Sequence, residues 1–243
     1  MSRSETYLSM QLTIADELGA RTDLLSPLPG SNLTTSPIQN AIQSAIAKWE
    51  RDSFYFNEIY DTNWFTTVAG QEFYNMTNTP VGDATEIASM PKILKVHALV
   101  NSQRYYLNPR TWQYLEEISV NPNVTTTIPI DFAYFASQIR LYPIPVGAIP
   151  MTVSGNQRLV SLVNPTDANV WTQDAFDLIC CESMLYLAQR VLHDDALASR
   201  MKTLIYGDPK APFVNQMASG YYNVLKFETA DRTAGPRIRP SYF

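Results

Sequence analysis

The spacing of apolar residues changes twice along the chain, and this change limits the possible folds most strongly. Near both ends, apolar residues recur every three or four positions, whereas between about residues 60 and 162 they alternate. Helical stripes must be covered by other elements. The sequence therefore predicts an α+β fold. Helices from 1–59 and 163–230 build one bundle, 60–162 forms a small inserted antiparallel β domain, and 231–243 forms an extended C-terminal arm.

The clearest helix start is residues 36–39 (SPIQ). This stretch combines an N-cap serine, a proline at the first helical position and a glutamine that can close a capping box. The apolar stripe after it predicts a helix that ends near Asn57. A first helix is predicted with Ser2 or Ser4 as its cap and Gly19 as its stop.

The C-terminal part of the chain contains three more helical patterns. They run from Thr172 to about Leu192, from Asp195 to Tyr206, and from about Pro212 to Thr229. His193 lies at the first of the two junctions between these patterns, followed by two aspartates. We interpret it as the end of one helix, with Asp194 or Asp195 capping the next, rather than as a catalytic base or a metal ligand.

The middle of the chain contains turn residues between alternating stretches, which is typical of hairpins. The predicted strand pairs are 64–68 with 72–74, 92–100 with 104–107, and 132–135 with 138–142. A short helix at 109–118 is expected to interrupt the sheet. A last strand is predicted at 151–160, after three prolines that place the region before it at an edge or in a loop.

Residue spacing argues against the common catalytic sites. The nine glycines include no pair closer than Gly147 and Gly155, so a phosphate-binding loop and a nucleophile elbow are excluded. His97 and His193 are far apart in sequence and the two cysteines are adjacent, which is unlike a zinc site. We therefore predict no enzyme activity, no cofactor and no metal. Glu116 and the adjacent Glu117 are expected to form a solvated face, and Cys180 to be a small core residue.

The charge composition argues against direct nucleic-acid binding and suggests a subunit. Lysine and arginine number 18 against 23 acidic residues, a net charge of −5, so the chain attracts phosphate poorly. Charged residues make up 17%, where roughly 25% is usual. Much of the surface is therefore expected to be either neutral polar or covered by another protein, and the second alternative points to a subunit. Because the start has no apolar signal segment and no run is long enough to span a bilayer, a soluble, unexported protein is expected.

The C-terminal arm carries residue types that anchor interfaces. It contains Arg237, Ile238, Arg239, Tyr242 and Phe243, with prolines that favour an extended path. Two interpretations follow: an arm folded back on its own domain, or an arm laid on another subunit, which the low charge fraction favours.

Four stretches resemble the head-to-tail adaptor proteins of tailed bacteriophages, particularly short-tailed ones. They are 46–58 (IAKWERDSFYFNE), 66–74 (TTVAGQEFY), 139–145 (IRLYPIP) and 237–243 (RIRPSYF). They occur in the order usual for that family, and the resemblance covers about residues 45–243.

This resemblance implies a virion protein of the neck, assembled in the host cytoplasm. It implies a ring, usually of twelve copies, that binds beneath the portal protein, meets the tail nozzle or tail fibres, and continues the DNA channel without binding DNA specifically. The portal-binding residues carried over are Arg237, Ile238, Arg239, Pro240, Tyr242 and Phe243. The serine and tyrosine at 241 and 242 stand where relatives often carry basic residues, which favours aromatic anchoring over a purely electrostatic clamp.

A second function remains open. In it, the protein is a tail-side or fibre-attachment protein whose β domain binds another tail component or a sugar. Tyr105, Tyr106 and Trp112 would suit that role.

Overall fold

The computed structural model describes residues 5–27, 34–74, 90–119, 124–136, 138–159, 161–208 and 220–234. The chain divides into two compact units. The helical unit contains the described residues of Met1–Phe56 and Leu159–Phe243, and the β unit is Asn57–Arg158. Helices at both ends of the chain and mainly antiparallel sheets between them confirm the predicted α+β class.

The helices have well-defined bounds. They are α1 (Tyr7–Glu17), α2 (Pro37–Trp49), α3 (Trp112–Ile118), α4 (Val170–Gln173), α5 (Phe176–Leu187), α6 (Asp195–Tyr206) and α7 (Tyr221–Ala234). Helix α3 belongs to the β unit and the others to the helical unit. A 3-10 turn (Thr22–Leu25) follows α1, and a π-helical stretch (Ala188–Leu192) continues α5.

Helix α5 is the centre of the helical unit, since it packs against α1, α2, α6 and α7. Its apolar residues extend around the whole helix, and almost every side chain in it is buried. Cys180 is 3% exposed, which confirms its predicted place in the core, and both cysteines are free thiols. Burial raises the pKa of the neighbouring Cys181 thiol to about 12.

The capping box predicted for α2 is confirmed. The Ser36 hydroxyl accepts a hydrogen bond from the Gln39 amide at 3.1 Å, and Gln39 Oε1 accepts one from the Ser36 amide at 3.0 Å. The predicted end near Asn57 is wrong, because α2 stops at Trp49. The aromatic side chains at 54–56 instead reach the core from a non-helical segment. There Phe54 stacks on Phe56, with ring centroids 5.3 Å apart.

The ends of the other early and late helices follow the predictions in part. Helix α1 is capped by Thr6, in a reciprocal capping box with Ser9, and not by Ser2 or Ser4. Gly19, with φ of 85°, confirms the predicted stop. As predicted, α6 covers Asp195–Tyr206. The Asp194 carboxylate caps it by accepting the Leu197 amide at 2.9 Å.

Two predictions about the last helices need correction. The predicted helix from Thr172 is divided, with α4 capped by Asn169 and α5 beginning at Phe176. Helix α7 continues to Ala234, so residues 231–234 are helical and not part of an extended arm. The predicted start at Pro212 lies outside the described residues.

The β unit contains ten short or medium strands. They are β1 (Glu58–Thr66), β2 (Phe73–Tyr74), β3 (Lys92–Val100), β4 (Gln103–Tyr106), β5 (Asn108–Pro109), β6 (Thr125–Thr126), β7 (Asp131–Phe135), β8 (Gln138–Tyr142), β9 (Ile144–Pro145) and β10 (Pro150–Asn156) among the described residues. Their sheets are ordered β1-β10-β3-β4, β2-β8-β7-β5 and β6-β9. The pairs β5-β7 and β6-β9 are parallel, and the other pairs are antiparallel.

Two of the three predicted hairpins are confirmed. Strands β3 and β4 pair through Asn101 and Ser102, both with positive φ, and β7 pairs with β8. The pairing of 64–68 with 72–74 is wrong, because β1 pairs with β10 and β2 pairs with β8 in another sheet. The intervening turn forms at Gly70, but it carries the chain from one sheet to the other.

Strand β3 departs from the simple alternation that its sequence suggests. Alternation from Leu94 through Val96 and Ala98 would put His97 on the face opposite these apolar residues. His97 is nevertheless 2% exposed and its ring packs on Tyr106, with centroids 5.2 Å apart. Leu94 is 40% exposed. Val96, His97 and Ala98 are buried in succession, so both faces of β3 are covered at these positions and burial does not follow a period of two.

Candidate functional site

The C-terminal helix α7 is fixed to the segment that follows α2 by a cation on aromatic rings. The ammonium of Lys226 lies 4.7 Å from the centroid of Phe54 and 5.5 Å from that of Tyr222. It also donates a hydrogen bond to the Ser53 carbonyl at 2.8 Å. The helix position and the path of the aromatic segment are therefore set by the same side chain.

Two further contacts lie closer to the end of α7. The Arg232 guanidinium lies 3.6 Å from the ring centroid of Tyr55. The Thr229 hydroxyl accepts a hydrogen bond from the Tyr55 amide at 3.1 Å. Burial, helped by a hydrogen bond with Asp174, raises the pKa of Tyr55 to about 12, so this ring stays neutral near pH 7.

A second cation lies beside the same aromatic cluster. Lys48 donates hydrogen bonds to Glu182 Oε1 at 2.7 Å and to the Tyr206 hydroxyl at 3.2 Å. Its ammonium lies 4.6 Å from the Trp49 ring centroid. Partial burial alone would lower the pKa of Lys48, but the hydrogen bonds to Glu182 and Tyr206 outweigh it and the pKa is raised. Glu182 is 8% exposed and the Lys48 side chain 44% exposed, so the pair joins α2 to α5 at the edge of the core.

We call this set of contacts the α7 anchor: Trp49, Phe54, Tyr55, Tyr222, Lys226, Thr229 and Arg232. It contains charges and rings but no arrangement of nucleophile, base and oxyanion donors. Its effect is mechanical, because it holds a helix whose C-terminal end leads directly to residues 235–243. The opposite side of α7 presents Val224 and Phe227 to solvent, with exposures of 38% and 58%.

The α7 anchor is not apparent from the sequence. The aromatic run 54–56 and the basic residues of the last helical pattern are visible in the sequence, but nothing in the sequence indicates that positions so far apart are in contact.

The six residues predicted to bind the portal lie outside the described residues. These are Arg237, Ile238, Arg239, Pro240, Tyr242 and Phe243.

The other residues considered as candidate site residues have structural roles. His193 adopts a left-handed conformation with φ of 52° at the end of the π-helical stretch, and Asp194 caps α6, as predicted. Glu116 accepts a hydrogen bond from the indole of Trp112 at 2.9 Å. Within the described ranges, no group of three or more acidic, histidine or cysteine residues could hold a metal ion.

The three aromatic residues considered for sugar binding do not form one cluster. Tyr105 and Tyr106 are neighbours on β4, so their side chains leave opposite faces of the strand. Trp112 contacts the rings of Phe73 and Phe135 instead. Tyr106 is nonetheless 64% exposed, and β4 is the last strand of its sheet.

Comparison with known proteins identifies the family to which this chain belongs. In the described part of the chain, no helix combines the length and apolar character needed to cross a bilayer. No curated protein matches the sequence. The sequence does match the SU10 adaptor protein family over residues 5–211, which includes the β unit and every described helix before α7. The chain therefore belongs to the SU10 adaptor protein family, whose members are adaptor components of bacteriophage virions.

Proposed function

We propose that this protein is the head-to-tail adaptor of its virion: copies form a ring, of twelve by resemblance to relatives, beneath the portal. The ring joins the portal to the tail nozzle in the neck and continues the DNA channel. Residues 235–243 clamp the portal. The observation that carries this proposal is the α7 anchor, which fixes the helix from which that segment extends.

To clamp a partner, a terminal segment needs a rigid attachment to its own domain, called here the base, and side chains that bind the partner, called here the tip. The anchor supplies the base, since Lys226 and Arg232 each hold α7 against aromatic rings of the preceding segment. The sequence supplies the tip, with two arginines, an isoleucine and two terminal aromatic residues. An extended segment of this composition binds by placing alternate side chains in pockets of its partner.

The charge of the chain suits a channel through which DNA passes. A net charge of −5 gives no overall attraction for phosphate, so the polymer is not held by the protein as a whole.

The proposal is tested by measuring portal binding of three proteins by sedimentation with purified portal. These are the full chain, a chain ending at Ala234, and a Tyr242→Ala/Phe243→Ala variant. We expect the full chain to saturate the portal, the shortened chain to show no binding, and the double variant to bind at least tenfold more weakly. Tyr106→Ala, an exposed aromatic change in the β unit, is the matched control and should bind normally. Saturating binding by the shortened chain would refute the clamp.

A second candidate function rests on the exposed β4 strand. Tyr105 and Tyr106 are 39% and 64% exposed, which favours contact with a tail component or a sugar. In that case a Tyr105→Ala/Tyr106→Ala variant would bind the portal normally but fail to add tail components to portal-bound complexes. If the variant completes tails at the wild-type rate, the β4 strand has no such role.

A further inference from the structure

Two aromatic side chains of the β2-β8-β7-β5 sheet and one of helix α3 contact one another in a row. Phe73 and Trp112 have ring centroids 5.8 Å apart, and Trp112 and Phe135 have centroids 5.3 Å apart. Phe73 is 36% exposed, Phe135 is 58% exposed and Trp112 is half-buried. We call these three residues the aromatic patch. Exposed aromatic residues in contact with one another are typical of binding surfaces.

The inner side of the aromatic patch already binds a guanidinium. Arg140, the cross-strand partner of Phe73, lies 5.3 Å from the Phe73 centroid and 5.4 Å from the Trp112 centroid. It is held there by hydrogen bonds to Glu72 at 2.6 Å and to the Ser119 hydroxyl at 2.6 Å. Both rings therefore lie within the distance at which a guanidinium is attracted to an aromatic ring.

One exposed carboxylate borders the aromatic patch. Glu72 is paired with Arg140. Glu116 on α3 is exposed and forms no salt bridge with a described residue. The Glu116 carboxylate is held 2.9 Å from the Trp112 indole nitrogen, next to the open rings. A carboxylate beside exposed aromatic rings is complementary to a cationic side chain.

We propose that the aromatic patch is a docking site for an arginine-bearing segment of another virion protein, with one guanidinium on the outer faces of Trp112 and Phe135 and paired with Glu116. The site lies in the β unit and does not depend on residues 235–243. It therefore goes beyond the proposed portal clamp and stands or falls separately from it.

The polar groups around the aromatic patch favour this partner over a sugar. A sugar stacked on rings also needs donors and acceptors aimed at its hydroxyls. Here Arg140 donates a hydrogen bond to Glu72 and is only 6% exposed, so these two groups are not directed at a ligand on the outer side of the rings. The exposed group beside the rings is the Glu116 carboxylate, whose full negative charge a guanidinium can neutralise and a neutral polyol cannot.

The experiment follows the indole N–H resonance of Trp112 by NMR in the full-length protein during titration with defined probes. The probes are an acetylated tetra-arginine amide, an acetylated tetra-glutamate amide and maltohexaose. We expect the arginine peptide to shift the Trp112 resonance and the other two to leave it unchanged. Affinity should fall about threefold to fivefold in Phe135→Ala and by a similar factor in Glu116→Gln.

Two features of the design separate binding at the aromatic patch from general attraction to an acidic protein. Tyr106→Ala removes an exposed aromatic side chain of the same unit elsewhere and should leave the affinity unchanged. Glu116→Gln keeps the shape of the side chain, and Phe135 is mostly exposed, so neither change removes core packing. Equal affinity of both variants and wild type, no shift of the Trp112 resonance, or a shift with maltohexaose instead of the arginine peptide would each overturn the proposal.

Discussion

Replacing Lys226 by methionine should loosen helix α7 without disturbing the rest of the helical unit. Methionine keeps the apolar stem of the side chain but removes the ammonium. The change therefore deletes the hydrogen bond to the Ser53 carbonyl at 2.8 Å and the contacts with the Phe54 and Tyr222 rings. Core residues of α7 such as Leu225 stay in place, so the loss is confined to the α7 anchor.

The size of the effect follows from these contacts. A hydrogen bond from a charged donor contributes about 1.5 to 3 kcal/mol when shielded, and a cation on aromatic rings about 0.5 to 1 kcal/mol at exposed sites. The Lys226 side chain is 32% exposed, and methionine recovers part of the ring contact, so both contributions are reduced. We expect a net loss of about 1.4 kcal/mol in the local opening free energy of α7, a factor of roughly ten.

Hydrogen exchange of the α7 amides measures this opening directly. In Lys226→Met the amides of Tyr221–Ala234 should exchange about tenfold faster than in wild type, while those of α5 keep their rates. Lys202→Met, on the exposed side of α6, is the matched control and should leave α7 unchanged. Rates in Lys226→Met within twofold of wild type, or an equal increase in the control, would refute the role given to Lys226.

Three further predictions concern the core, the thiols and assembly. Gly155→Ala should destabilise the β unit by about 2 kcal/mol in urea unfolding, because its new methyl group meets the Lys92 carbonyl and the Met90 side chain; Gly147→Ala has open space and should be neutral. Burial raises the pKa of the Cys181 thiol to about 12, whereas a thiol in the unfolded chain has a pKa of about 8.5. The contribution of this thiol to the free energy of unfolding, measured in urea, is therefore complete below about pH 8.5. It falls as pH rises toward 12, by about 1.4 kcal/mol per pH unit, and Cys181→Ala should flatten that slope. Finally, we expect the ring to assemble only on the portal, so light scattering at micromolar concentration without portal should show a monomer or weak association; a stable ring there would contradict this.

Local signals in the sequence predicted those elements whose ends are set by neighbouring residues. The Ser36 capping box, the turn between β3 and β4 and the Gly19 stop after α1 all act within a few positions. Each therefore has the structure that its own residues dictate. The same holds for Asp194, which caps α6 as its sequence position suggests.

Predictions that depended on distant partners were less successful. The residues of β1 and β2 alternate as a hairpin would, but each strand finds a better partner far along the chain, β10 and β8. The apolar residues at 54–56 continue the stripe of α2, which predicts a longer helix. The segment is not helical, and its rings contact Lys226 of α7 and Trp171. The α7 anchor and the aromatic patch both join residues far apart in sequence, which periodicity cannot reveal.

The most direct test of the adaptor function is electron microscopy of purified portal mixed with this protein. The account predicts an additional ring beneath the portal with the full chain, with density from residues 235–243 reaching the portal surface. It predicts no ring with a chain that ends at Ala234. A ring of the shortened chain would contradict the clamp, and the absence of any ring with the full chain would contradict the proposed place of this protein at the head-to-tail junction.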